Sequence, residues 1–506
     1  MKSQVFLLAL LALVAFTAVF AQYSPEALAD EVSNLPDAEL FSRQFAGYIP
    51  IRNGTTQMFY WFVTAKNNPE TAPIGIWTSG GPGCSGFIGM LTEMSAYQPV
   101  KENGKVSLKI RDVNWNENLN IIYIEQPDVG FTNVQNAPLE WTDDDIAKRN
   151  AEFIYTFLDR FSNFKSNPFF ISSESYGGHY IPTLANRLIK DINNGSSKLN
   201  FKWSIVGNPL IYLPYRDFGY YKTLINRNIV PLYPYGQQYL DNCQPSLTSQ
   251  PNPPASLPSQ CYSLESQMDT YISRVDPYAM SFPRCVDESG KLRSAGGQYG
   301  DHIASTIAKA QRSYRERTLA DTQDLHDQMR QSEIQDETYF SLLKDMLQGG
   351  QEDYFPHKYQ PCEEDYTTEY LNRKDVQKAL HANLKRSRWS MCENINYSDY
   401  DFIASMLPVY LENSKLGPQV NQLLFTANDD TMCSTFEAQM ALFNNYKVQT
   451  YWQDTVWEGQ LVGHKSTFVE PKTLTAVTVL GGGHMAPSTR PSQTKFVIEQ
   501  FITGKL

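Results

Sequence analysis

The stretch SSESYGGHY, Ser172 to Tyr180, sets a serine between an acid and a tyrosine, with two glycines behind it. It follows the apolar run PFFI and leads into YIPTLANRLIK. A strand, a sharp turn and a helix in that order would lift Ser175 onto the tip of the turn. In that arrangement small residues two before and two after a nucleophilic serine let strand and helix pass closely. Gly177 meets the requirement behind, and Ser173 stands where glycine is usual. An ordinary loop serine would read the same way from this stretch alone, so the partners decide.

A serine nucleophile needs a base, and the base needs an orienting acid. The chain has seven histidines. His302, His326 and His357 read as surface residues of a long insertion, and His179, one helical turn beyond Ser175, reads as a local packing partner beneath the turn. His484 follows the strand-like LTAVTVL in the loop GGGHMAP, where an open α/β sheet builds its site. His464, in LVGHKS, is the runner-up. QLLFTANDDTMCS is another strand ending in a loop and offers Asp429 and Asp430. Taken alone, that acidic pair reads as a solvated turn. The order Ser, Asp, His is that of α/β-hydrolases. In IWTSGGPGCSGFIGMLTE a strand ends at Trp77 and a glycine-rich turn follows, whose N–H groups can point at a developing oxyanion. Metal chemistry finds no motif: there is no H-E-x-x-H and no C-x-x-C, and no dinucleotide or phosphate-binding glycine fingerprint is present. No metal and no cofactor is expected.

The elements that must position these residues fit one large α/β core. The runs MFYWFV, PIGIW, NIIYI, PFFI, WSIV, QLLF, VQTYW and LTAVTVL read as strands, several of them apolar throughout, as strands buried on both faces should be. Between them, WTDDDIAKRNAEFIYTFLDRFS predicts a helix capped by Thr142, with Ile146, Phe153, Phe157 and Phe161 close to one face. Strand and helix alternation argues for a mostly parallel central sheet. The expected organisation is a signal peptide at 1–21, a first core part at 22–211, an inserted cap region at 212–361 and a second core part at 362–506. The insertion holds a proline-rich stretch between Cys243 and Cys261 and a charged helical stretch from Ala304 to Glu333.

The apolar segment behind Lys2 ends in Val19-Phe20-Ala21 and reads as a secretory leader rather than a membrane anchor, with no second span of membrane length. The secretory route makes Asn53, Asn194 and Asn396 glycosylation sequons. Seven cysteines in an oxidising compartment leave an odd one over. A formal net charge of −11 repels phosphate backbones, which argues against nucleic acid as a partner. Whether two copies pair into a homodimer stays open.

Taken together, SGGPGCSG, NWNENLNIIYIEQPDVGF, ESYGGHYIP, YLNRKDVQKALH and GGGHMAPSTRPSQT resemble the serine carboxypeptidases, the group that includes carboxypeptidase Y and cathepsin A. The resemblance runs from FAGYIPI to the C-terminus, with the middle insertion poorly matched. It implies an α/β-hydrolase fold with an inserted cap, and a lumenal enzyme, secreted or lysosomal/vacuolar. Residue by residue, it implies Ser175 as nucleophile, His484 as base and Asp430 as acid. It implies Gly81 and Tyr176 as backbone oxyanion donors. Glu174 and Glu93 would bind the substrate's terminal carboxylate, helped by Ser79, which stands where the family usually has asparagine. Met485 would line the pocket of the leaving residue. EQPDVGFT is one residue shorter than the family's usual form, which implies a reshaped pocket wall. The resemblance also implies bridges Cys84–Cys392, Cys243–Cys261 and Cys285–Cys362, with Cys433 left free. The implied activity is removal of single residues from the C-termini of peptides and proteins through an acyl-enzyme, favoured at acidic pH. The alternatives are acyl transfer or ester hydrolysis on the same triad, and a non-catalytic stabilising role in the lumen.

Overall fold

The computed structural model describes residues 23–243, 259–272, 275–286, 302, 305, 306, 309, 361–383 and 388–506. The leader, most of the proline-rich stretch, nearly all of the charged helical stretch, His326 and His357 lie outside the described residues. In chain order the strands are β1 (Gln44–Ile51), β2 (Thr56–Val63), β3 (Ile74–Trp77), β4 (Tyr97–Glu102), β5 (Lys105–Ile110), β6 (Asn120–Ile124), β7 (Asn133–Val134), β8 (Phe169–Glu174), β9 (Phe201–Gly207), β10 (Asn421–Ala427), β11 (Lys447–Trp457), β12 (Gln460–Glu470) and β13 (Leu474–Val479). All but β4 and β5 join one sheet, whose path runs β1-β2-β6-β3-β8-β9-β10-β13-β12-β11, with β7 paired to β2. From β6 to β13 every pairing is parallel. Antiparallel pairs flank this centre on both sides.

Cover on both faces of the sheet explains the unbroken apolar runs. In β2, Tyr60 and Phe62 face one core while Phe59, Trp61 and Val63 face the other. Likewise Ile122 and Ile124 of β6 oppose Ile121 and Tyr123. Side chains alternate across a strand, so a strand covered on both faces must be apolar at every position. The run VQTYW behaves differently. It lies in β11, at the edge of the sheet, where half-buried and exposed positions alternate and Tyr451 is exposed.

Six helices matter for the site: α1 (Asp143–Arg160), α2 (Gly177–Asn193), α3 (Leu213–Asn226), α4 (Glu363–Leu371), α5 (Thr435–Asn445) and α6 (Pro491–Ile502). Helix α1 begins where its sequence says it should, with Thr142 Oγ1 accepting from the Asp145 N–H. Phe153 and Phe157 of α1 and Phe161 just beyond it enter the core that holds α2, and Phe157 stacks on Phe161 at 4.4 Å. Truncating a buried phenylalanine of this kind costs about 3–5 kcal/mol, so Phe157→Ala would loosen the layer that carries α2. Ile146, one turn into α1, belongs instead to a small cluster with Tyr176, Tyr180, Tyr397 and Phe402. The opposite face is covered by α6, α4 and the short helical segment from Gly86 to Met94.

Candidate active site

Ser175 sits between the end of β8 and the start of α2 with φ +59°, a left-handed conformation rare outside glycine. Hydrogen bonds hold it there. Its N–H donates to the Gly207 carbonyl at 3.0 Å, and its carbonyl accepts from the N–H groups of Gly178 and Leu210, both at 2.9 Å. The neighbouring glycines are required by space: a Cβ on Gly177 would fall 2.3 Å from Ser173 Oγ, and one on Gly178 would fall 2.1 Å from the Leu210 carbonyl oxygen. Ser173 is tolerated because its hydroxyl accepts from Thr78 Oγ1 at 2.9 Å and lies in the space that Gly177 leaves. Thus a serine replaces the usual glycine without losing the tight turn.

The other partners come from the same edge of the sheet. Strands β8, β9, β10 and β13 are parallel neighbours, so their C-terminal ends bring Ser175, Asn208, Asp430 and His484 to one rim. His484 Nδ1 lies 2.7 Å from Asp430 Oδ2, with both side chains fully buried. A carboxylate at that distance fixes the tautomer with the proton on Nδ1 and leaves Nε2 as the basic nitrogen. Asp430 is itself restrained. Asn208 Nδ2 donates to Oδ2 at 2.8 Å, and the N–H groups of Met432 and Cys433 donate to the carboxylate at 2.7 and 3.3 Å. Asn208 also donates to the Gly483 carbonyl and accepts from the Ala427 N–H, tying three strand ends together. Burial pulls the His484 pKa down, but the field and hydrogen bond of Asp430 more than offset it, so the net direction is up. The His484 N–H donates to the Tyr278 carbonyl, and the Tyr278 ring meets the imidazole edge-on at 5.2 Å.

The glycine-rich turn after β3 lies directly against this serine. A Cβ on Gly80 would fall 2.6 Å from the Tyr176 nitrogen and 2.7 Å from Ser175 Cβ. Gly81, next in the chain, has φ +114°. The Tyr176 ring stacks on His179 at 4.6 Å, which anchors the residue carrying the second candidate N–H. Ser79 is buried, and its Oγ has no hydrogen-bond partner among the described residues.

Glu174 and Glu93 are each 1% exposed, and no described donor reaches their carboxyl oxygens at hydrogen-bonding geometry. Burial raises the Glu93 pKa well above the usual range, with the Glu174 carboxyl adding to it. Burial likewise lifts Glu174 to about 7 against the opposing field of His484. At neutral pH and below, this pair therefore holds at least one proton. Met485 is half-buried beside it, with Sδ 3.8 Å from Thr92 Oγ1. Arg111 donates to the Leu91 and Tyr97 carbonyls at the back of the same segment.

The remaining histidines and acids sort clearly. His179 is fully buried with Nδ1 3.2 Å from Asp143 Oδ2. His464 lies on β12, facing Asp454 at 3.2 Å and stacked on Trp452, away from the strand ends that carry Ser175. His302, read as a surface residue, is in fact partly buried, because its Nε2 donates to the Pro82 carbonyl at 2.8 Å. Asp429 and Asp430 are both buried, so this acidic pair is no solvated turn. Asp429 points the other way from Asp430, accepting from Ser281 N–H and Oγ at 2.8 and 2.7 Å and pairing with Arg227. It clamps the segment that carries Tyr278. Asn208, Tyr278 and Arg216, whose Nε donates to the Met432 carbonyl, were not singled out in the sequence. Asn208 had a signal: it follows the strand WSIVG, the same placement that marked Asp430.

The three bridges Cys84–Cys392, Cys243–Cys261 and Cys285–Cys362 are present, and Cys433 is a buried free thiol. Burial, with the Glu437 and Asp430 carboxylates, raises the Cys433 pKa well above that of an ordinary thiol. Cys84, Cys392 and His302 are the one set of potential metal ligands drawn together among the described residues, and two of the three are spent in a disulfide. Asn53, Asn194 and Asn396 are exposed, and the Asn396 amide donates to the Leu139 carbonyl. No helix among the described residues is long and apolar enough to cross a membrane.

A mostly parallel sheet with a strained serine after one strand, and an acid and a histidine after later ones, defines a hydrolase of the α/β-hydrolase fold. Residues 36–504 match the family model described as serine carboxypeptidase, and the chain belongs to that family as a serine-type carboxypeptidase hydrolase. It is 28% identical to serine carboxypeptidase-like 26 of Oryza sativa subsp. japonica, over 94% of this chain and 90% of that one. It is 29% identical to serine carboxypeptidase-like 27 of Arabidopsis thaliana, over 99% and 98%. Among solved structures, a prohormone-processing carboxypeptidase from Saccharomyces cerevisiae shares the fold, with a TM-score of 0.61 and 16% identity over 95% of this chain and 97% of that one.

Proposed function

We propose that the protein removes single residues from the C-termini of peptides, using Ser175, His484 and Asp430, with an acidic optimum in the lumen of the secretory pathway. Ser175 Oγ attacks the last peptide carbonyl while His484 Nε2 takes the hydroxyl proton. Asp430 keeps the proton on Nδ1 and stabilises the imidazolium. The oxyanion is received by the N–H groups of Gly81 and Tyr176. His484 then returns its proton to the leaving amine, the C–N bond breaks, and an acyl ester remains on Ser175. Water attacks that ester by the same base and releases the shortened peptide.

The observation that carries this reading is the buried pair Glu174 and Glu93 beside the nucleophile. Two carboxylates would repel a substrate carboxylate, whereas a carboxyl that keeps its proton donates a hydrogen bond to it. The raised pKa of the pair therefore favours substrates with a free C-terminus at acidic pH. Ser79 Oγ supplies a shorter donor than asparagine on the same side, reaching the carboxylate through water. Met485 gives the leaving residue an apolar wall.

Mass spectrometry of peptides incubated at acidic and at neutral pH tests the reading. The expected result is a ladder shortened one residue at a time from the C-terminus, faster at acidic pH. Transfer of acyl groups to an added alcohol, with no ladder, would instead favour acyltransfer on the same triad. Absence of both would leave only a non-catalytic role.

A further inference from the structure

The turn from Ser79 to Cys84 carries glycine at 80, 81 and 83, and Gly81 and Gly83 sit at φ +114° and +94°. Glycine reaches such angles without steric cost, and the same freedom leaves a turn of this composition soft. A donor aimed at an oxyanion helps only if it is already in place, because preorganised dipoles need not reorient during reaction. The restraints on this turn are therefore part of the catalytic problem.

Most of them act at its ends. The Thr78 N–H donates to the Ser172 carbonyl at 3.1 Å, and the Cys84 N–H to the Gly80 carbonyl at 3.2 Å. The Gly83 carbonyl accepts from Glu393 N–H at 2.9 Å, and Cys84 is bridged to Cys392. The peptide between Pro82 and Gly83 is held from a different part of the chain. His302 Nε2 lies 2.8 Å from the Pro82 carbonyl oxygen. A carbonyl only accepts, so Nε2 carries the proton. Burial lowers the His302 pKa, with the Pro82 hydrogen bond and the Glu393 carboxylate opposing, and either protonation state keeps this donor.

We propose that His302 is a positioning residue for the reaction: its hydrogen bond to the Pro82 carbonyl fixes the glycine turn so that the Gly81 N–H meets the oxyanion. The inference rests on the reading of Gly81 as an oxyanion donor. It gives the long segment between α3 and α4 a part in the chemistry, since one of its side chains sets the geometry of a turn in the core.

The test compares His302→Ala, His302→Leu and His302→Gln in the full chain, using a blocked dipeptide and its boronate analogue. Folded fraction is measured by thermal melt. Loss of the donor is expected to lower kcat roughly 3–10-fold, below the ~10²–10³ of deleting an oxyanion donor outright. KM should stay within about twofold, because the contact matters in the transition state rather than the ground state. Boronate affinity should fall by the same factor as kcat/KM, and His302→Gln, which restores an N–H donor, should recover most of the loss. If His302→Ala does not fold, the Leu and Gln variants decide by the same criteria. Unchanged kcat in the folded Ala or Leu variant, a change confined to KM, or a Gln variant no better than Leu would overturn the proposal. A parent enzyme that releases no C-terminal residue would instead overturn the carboxypeptidase reading itself.

Discussion

Two histidine–carboxylate pairs flank Ser175, and only one is placed to act as a base. Asp430 and His484 stand 2.7 Å apart at the ends of β10 and β13, with Asn208 and two backbone N–H groups fixing the carboxylate. Asp143 and His179 stand 3.2 Å apart, held by Tyr397 Oη, which donates to Asp143 Oδ1 at 2.6 Å. Both histidines are fully buried. What differs is the surroundings. The second pair lies among Tyr176, Tyr180, Tyr397 and Phe402 behind the turn, while the first lies on the rim where parallel strands end. A histidine bonded to an aspartate thus does not by itself mark a reagent; on the reading proposed above, position at the carboxyl edge of the sheet sets His484 apart.

The largest effect separates the two pairs outright. Ser175→Ala and His484→Ala should each lose roughly 10⁴–10⁶ in kcat, since members of a triad act as a unit. Asp430→Asn should lose about 10⁴, because the imidazole takes the wrong tautomer. Asp143→Asn and His179→Gln should keep kcat within about tenfold and instead destabilise the fold by about 1.5–3 kcal/mol, the worth of a buried hydrogen bond to a charged group. Steady-state kinetics beside thermal melts read both. A dead His179→Gln that is fully folded would erase the distinction.

The acid pair should show itself in stability next. Glu93 and Glu174 have folded pKa values above their unfolded ones. The native state therefore binds more protons over that range, and stability falls as pH rises from about 4.5 through the folded values. Glu174→Gln should be more stable than the parent at pH 8, by about 1–3 kcal/mol, and the advantage should vanish below pH 4. Denaturant melts at the two pH values check the sign.

Smaller effects come from the residues one position away from the machinery. Asp429→Asn keeps an acceptor for Ser281 but loses the charge facing Arg227, so a drop of a few degrees in Tm and a change in kcat within about fivefold are expected. Cys433→Ser should remain within a few-fold of the parent. Cys433 should be the single thiol titrated in the denatured, unreduced protein, and it should alkylate slowly in the native state because its pKa is raised.

The rim residues Ser175, Asp430 and His484 were legible in the sequence because each follows a strand-like apolar run, and strand ends are where a parallel sheet exposes side chains. Asn208 follows the same rule after WSIVG and could have been found by it. All eight apolar runs became strands. The strands β1 and β7, the polar strand β12 and the β4–β5 hairpin were missed, although Asn103-Gly104, both with positive φ, is a hairpin turn signal that could have marked the last of these. The contacts of Tyr278 and His302 carry no local pattern at all. They depend on where a long intervening segment returns to the core, which no periodicity encodes. Asp429 and Asp430 are adjacent and chemically identical, so only the resemblance, and then the clamp to Ser281 and Arg227, tells them apart.

In the proposed mechanism Glu174 and Glu93 read a free C-terminus through a retained proton. KM measured against pH for a blocked dipeptide and for its C-terminal amide tests it. The dipeptide acid should bind best at acidic pH, with KM rising as pH passes about 7, the value to which burial lifts Glu174. The amide should show no such rise, its kcat/KM being limited at the acidic end by the need for neutral His484. Glu174→Gln, which keeps a donor without a titrating charge, should flatten the rise for the acid. Superimposable profiles for acid and amide would contradict the claim and point to an esterase or acyltransferase on the same triad.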